Sequence, residues 1–118
     1  MTHAACLAAL CAATLLPSAA RAVDPVVAHP GNYSVLIEND RVRVIAHRDM
    51  PGDRTVEHDH PAFVLVALRA FERRITLPDG RVIMRKFAPG DVIYSGPQTH
   101  IGENIGTTPT EAVLIELR

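Results

Sequence analysis

His58-Asp59-His60 and the later His100 are the residues whose types and spacing can do chemistry. An H-x-H in an extended segment sends both imidazoles to one face, because side chains alternate along a strand. Two rings aimed at one spot match the needs of a shared ion at roughly 2.0–2.1 Å per nitrogen bond. His100 is the candidate third ligand, from a separate strand. Three neutral imidazoles leave a coordination position open to water or substrate, as catalytic metal sites do. Gln98 and Tyr94 share His100's parity, so both are expected at the pocket: Gln98 as a weak ligand or hydrogen-bond donor, Tyr94 as a phenol lining it. Glu57 and Asp59 alternate with the histidines and are expected to face away. His29 and His47 read as hydrogen-bonded structural histidines.

The elements that must position these rings are strands. Residues Val35 to Glu38 and Arg41 to His47 are β-rich and separated by the turn dipeptide Asn39-Asp40. Arg41-Val42-Arg43-Val44 alternates polar and apolar, the pattern of a strand with one wet face. Phe63 to Leu68 is apolar throughout, which predicts a strand covered on both sides. Phe71 to Leu77 and Arg81 to Phe87, joined by Pro78-Asp79-Gly80, form a predicted hairpin. Val92 to Tyr94, Thr99 to Asn104 and Glu111 to Leu117 complete the set. Eight or nine short strands with turns between them predict an all-β sandwich or barrel. Arg41, Arg43, Arg73, Arg74, Arg81 and Arg85 are assigned to the solvated outer face, with an inward Arg85 on a substrate carboxylate as the alternative.

Composition narrows the function classes. The chain has 118 residues, 47% hydrophobic and 21% charged, which suits one globular domain. Both cysteines, Cys6 and Cys11, lie in the N-terminal 22 residues, so no disulfide, thiolate site or cysteine nucleophile is expected beyond them. The remaining residues carry a net charge of −2 with no basic run, which speaks against nucleic-acid binding. Ala4 to Leu16 is apolar but for Thr14 and is followed by Pro17, Ser18 and Ala20-Arg21-Ala22. A short apolar run ending in A-x-A predicts a secretory signal peptide over residues 1–22, too short for a membrane span. Cleavage would start the mature chain at Val23 and place it in the periplasm or outside the cell, with residues 23–34 as an N-terminal arm.

The histidine spacing also resembles a family. Gly52, five residues, His58, one residue, His60 is similar to the first cupin motif. Gly90, Pro97, His100 and Asn104 are similar to the second, and the resemblance covers residues 38–118. It implies a cupin-type jelly-roll barrel over residues 35–118 with His58, His60 and His100 as ligands of a divalent transition metal (Zn, Fe, Ni, Cu or Mn). Two departures stand out. The family's glutamate, four or five residues after the second histidine, is replaced by Val64 or Leu65, and Ser95-Gly96-Pro97-Gln98-Thr99-His100 departs from the second motif. The resemblance implies oxygenase or isomerase activity on a small oxygenated molecule and a homodimer formed through the arm Asn32 to Glu38. The alternatives are a non-catalytic small-molecule or metal-binding barrel, and a metal-free catalyst with His58 or His60 as base and Tyr94 as acid.

Overall fold

A computed structural model describes residues 23–118. The predicted signal peptide lies outside the described residues. One four-residue helix, α1 (Pro25–Ala28), precedes nine strands. These are β1 (Tyr33–Glu38), β2 (Val42–Asp49), β3 (His58–His60), β4 (Phe63–Ala67) and β5 (Phe71–Thr76). β6 (Val82–Phe87), β7 (Val92–Ser95), β8 (Gln98–Asn104) and β9 (Thr110–Leu117) follow.

The strands form two sheets, ordered β1-β2-β9-β4-β7 and β3-β8-β5-β6. All strand pairs within them are antiparallel. Neither sheet closes on itself, so the jelly roll is an open double sheet where the sequence predicted a barrel. Its interior is the space between the two sheets. Tyr33, Ile45, Phe63, Leu65, Phe71 and Leu114 are among the residues that fill it, each contributing roughly 1.5–3 kcal/mol if fully buried.

Two turns use one device. In Met50-Pro51-Gly52-Asp53 and Ala88-Pro89-Gly90-Asp91, proline presets the first central residue and glycine takes φ of 89° and 86°. The aspartate amide closes each turn on the first residue's carbonyl, at 3.0 and 3.1 Å. Its carboxylate accepts that residue's N–H at 2.8 Å in both. A side chain at either glycine would meet no neighbour, so the requirement is the backbone angle alone.

Alternation holds in β4, but with one dry face. Phe63, Leu65 and Ala67 are buried while Val64 and Val66 are half-buried and Leu68, just beyond, is exposed. The expectation of full cover on both sides is therefore corrected: β4 lies inside the sheet laterally, yet only one face meets the second sheet. Among the described residues no helix is long and apolar enough to cross a membrane.

Candidate metal centre

The register of two short strands assembles the histidines. β3 pairs antiparallel with β8, placing His58 opposite His100 and His60 opposite Gln98. Residues two apart on β3 and their cross-strand partners on β8 share the inward face. His58, His60 and His100 are all buried there, with ligand-capable nitrogens within 4.8 Å of one another. Gln98 lines the adjoining cavity.

Each ring's Nδ1 has an oxygen before it. His58 Nδ1–H donates to the Val56 carbonyl at 2.8 Å, and His100 Nδ1–H donates to Gln98 Oε1 at 2.6 Å. His60 Nδ1 faces Glu116 Oε2 at 3.5 Å, longer than a formed hydrogen bond, and neither atom has another partner. Fixing the proton on Nδ1 leaves Nε2 with its lone pair free, the tautomer of a metal-ligating histidine. His58 Nε2 and His60 Nε2 then stand 3.1 Å apart. At that distance the two nitrogens either share one proton or, with both protons on Nδ1, close on a cation between them.

The spacing of His58 and His60 fits an ion. Two bonds of about 2.05 Å spanning that gap subtend roughly 100°, between the octahedral and tetrahedral angles. The widest pair of ligand atoms, at up to 4.8 Å, must close by roughly 0.7 Å, since two such bonds reach about 4.1 Å at most. Burial lowers His58 to a pKa of about 4 and His100 to about 2, neighbouring imidazoles adding to the shift. Both are therefore neutral at pH 7 and ready to ligate.

Glu116 is a residue that the sequence reading missed. It is 1% exposed, and its Oε1 accepts from Arg43 Nε at 2.6 Å. Burial alone would raise its carboxyl pKa, but His60 and Arg43 hold it below the ordinary value. Arg43 also donates to Asp24 Oδ2 at 2.6 Å, and Asp24 Oδ1 accepts from Val26 N to cap α1. A signal was present: Glu116 shares strand parity with Ala112 and Leu114, the buried face of β9. A carboxylate on a core face must be paired. It lies behind His60 on the Nδ1 side, so the motif's missing ligand is not replaced by it.

Three further placements correct the sequence reading. Tyr94 is 67% exposed and points away from the cavity, which its neighbours Ile93 and Ser95 line instead. Its parity was counted through Gly96-Pro97, where the chain passes from one sheet to the other, and alternation does not survive such a break. Arg43 and Arg73 are inward, not solvated. His47 is buried, stacks on Tyr33 with ring centroids 4.2 Å apart, and forms part of the cavity wall. Burial lowers its pKa to about 4.

A second polar cluster adjoins this wall, with Arg73 itself lining the cavity. Arg73 Nη1 donates to Asp49 Oδ2 at 2.6 Å and to Thr110 Oγ1 at 2.9 Å. Asn104 Nδ2 donates to Asp49 Oδ1 at 3.2 Å and to the Thr108 carbonyl at 3.0 Å, while its Oδ1 accepts from Gly106 N. Asn104 therefore supports structure.

No family model and no curated protein sequence matches the chain. Solved structures do. A cupin domain from Bordetella pertussis Tohama I is 26% identical, with a TM-score of 0.67 over 73% of this chain and 91% of that one. A protein with a double-stranded β-helix domain from Klebsiella pneumoniae is 23% identical, with a TM-score of 0.60 over 86% of this chain and 81% of that one. An RmlC-like cupin from Methanocaldococcus jannaschii is 17% identical, with a TM-score of 0.59 over 72% and 77%. With two sheets arranged as in these proteins around a buried histidine trio at the motif positions, this chain has the cupin jelly-roll fold.

Proposed function

We propose that this cupin binds one divalent transition metal through Nε2 of His58, His60 and His100 and uses it on a small oxygenated molecule held in the adjoining cavity. The observation that carries the reading is the convergence of three buried imidazoles with an oxygen before each Nδ1. All-nitrogen donors suit Zn, Cu, Ni and Fe(II). A bound ion of this class supplies Lewis-acid polarisation of a substrate oxygen or, when redox-active, access to dioxygen chemistry.

The chain's own residues do the rest. The Val56 carbonyl, Gln98 and Glu116 stand before the Nδ1 atoms of the three rings and orient them. His47, Tyr33 and the apolar side chains wall a cavity of about 60 Å³, the room of a few waters or a small ligand. No carboxylate lines this cavity among the described residues, and Tyr94 faces elsewhere, which disfavours metal-free acid–base catalysis by that pair. Oxygenase or isomerase turnover is the assignment within this reading. The same absence of an acid–base pair favours, as the second reading, a binding protein without turnover.

Export is supported by the N-terminal apolar run and its A-x-A end. Homodimerisation is supported by β1, an edge strand whose Val35, Leu36 and Ile37 are exposed.

Metal analysis of the purified protein tests the central proposal. Expected is about one transition-metal atom per chain, lost in the His58→Ala/His60→Ala variant. Metal content that the variant leaves unchanged would overturn the assignment.

A further inference from the structure

The cavity beside the histidines has an unbalanced charge. Of the residues lining it, only Arg73 and Arg85 carry a permanent charge, and no aspartate or glutamate does. β5 and β6 pair antiparallel with Arg73 directly opposite Arg85. Directly opposed residues leave the sheet on the same side, with Cβ atoms about 4.5–5.5 Å apart, and like charges placed so repel. Asp49 neutralises Arg73 at 2.6 Å. Arg85 has no hydrogen-bond or ion-pair partner among the described residues, although its neighbours Arg74 and Lys86 reach Glu103 at 3.0 Å and Glu72 at 3.6 Å. The cavity thus holds one positive charge that the fold leaves for something else.

The surroundings narrow what that is. Ile83 and Phe87 flank Arg85 two residues away on the same face, and Ile75 adds to the wall. The volume is about 60 Å³, and His60 and His100 also line it. A guanidinium takes a carboxylate through two parallel hydrogen bonds, and apolar walls take a short hydrocarbon body.

We propose that the ligand of this cavity is a small monocarboxylate, its carboxylate on Arg85 and its apolar body against Ile75, Ile83 and Phe87. The inference rests on the cavity being the ligand site of the proposed metal centre, but its contacts use no metal. Because Arg85 is exposed and unpartnered, replacing it leaves the fold intact.

Calorimetric titration with isobutyrate and its neutral isostere isobutyramide tests this, on protein as purified and after chelator treatment. Isobutyrate is expected to bind in both states, about tenfold or more tighter than the amide, and Arg85→Gln is expected to erase that preference. The isobutyrate-to-isobutyramide ratio of the unmodified protein is a readout that needs no variant. Equal binding of the two, no isobutyrate binding at millimolar concentration, or inorganic phosphate binding at least as tightly would each overturn the inference. Isobutyrate binding that requires the metal and ignores Arg85→Gln would also overturn it, while leaving the metal centre standing. Arg85-dependent binding by a chain that holds no metal upholds it and overturns the metal centre instead.

Discussion

Two buried polar clusters face the same interior, and they differ in whether their bonding capacity is spent. Around Arg73, Asp49, Thr110 and Asn104, donors and acceptors answer one another at 2.6–3.3 Å. Around His58, His60 and His100, the Nδ1 side of each ring meets an oxygen, while the Nε2 atoms of His58 and His60 meet only each other, 3.1 Å apart. Burial alone therefore does not mark a functional site, since members of both clusters are below 10% exposed. Unspent valence does. The first cluster ties β2, β5, β8 and β9 together, and the second has the donor set that could hold an ion.

The largest expected effect breaks the spent cluster. Arg73→Met leaves Asp49 buried without its cation, and losing one partner of a buried pair costs about 3–5 kcal/mol. Chemical denaturation should report that loss, with metal content per folded chain unchanged. If metal disappears as well, the two clusters are one unit and the comparison fails.

Acid separates them next. His58 and His47 titrate at about 4 and His100 at about 2 in the folded protein, because burial disfavours their charged forms. An unfolded histidine titrates near 6.5, so between about pH 6.5 and 4 the unfolded chain binds more protons. Stability is complete above that window and falls as pH drops through it, on the order of 1–2 kcal/mol per histidine by pH 5. Asp49 behaves oppositely. Burial would raise its carboxyl, but His47, Arg73 and Thr110 hold it below the usual range, so its contribution survives at pH 5. The metal-free protein should lose at least about 12 °C in thermal midpoint between pH 7 and 5. A flat profile across that range would contradict neutral buried imidazoles.

The smallest effect sharpens the role of Glu116. Glu116→Gln keeps the size and removes the charge behind His60 and beside Arg43. Outer partners of metal ligands typically contribute 10–100-fold in affinity, and that is the loss expected for Zn(II) in a competition titration. Wild-type affinity in this variant would make Glu116 purely a partner of Arg43.

Much of this was legible in the chain, for a local reason. Alternation in Arg41-Val42-Arg43-Val44 and the Pro-Gly-Asp turns are written in neighbouring residues, and the nine strands fall within a few residues of where those signals put them. His58 and His60 were legible because spacing by two on a strand is itself a geometry. Tyr94 was misplaced because parity was carried through a turn that changes sheets. Arg73 looked like its neighbour Arg74, and only the buried Asp49 from β2, 24 residues earlier in the chain, separates their fates.

What the sequence determined by itself was thus the strand class, the turns and the pairing of two histidines on one face, all set by interactions within a few residues. Tertiary structure alone decided that His100 stands opposite His58, that Glu116 backs His60, and that Asp49 spends the charge of Arg73 but not of Arg85. Those contacts join residues tens of positions apart. Their energies depend on desolvation and on distances of a few ångströms that no local pattern encodes.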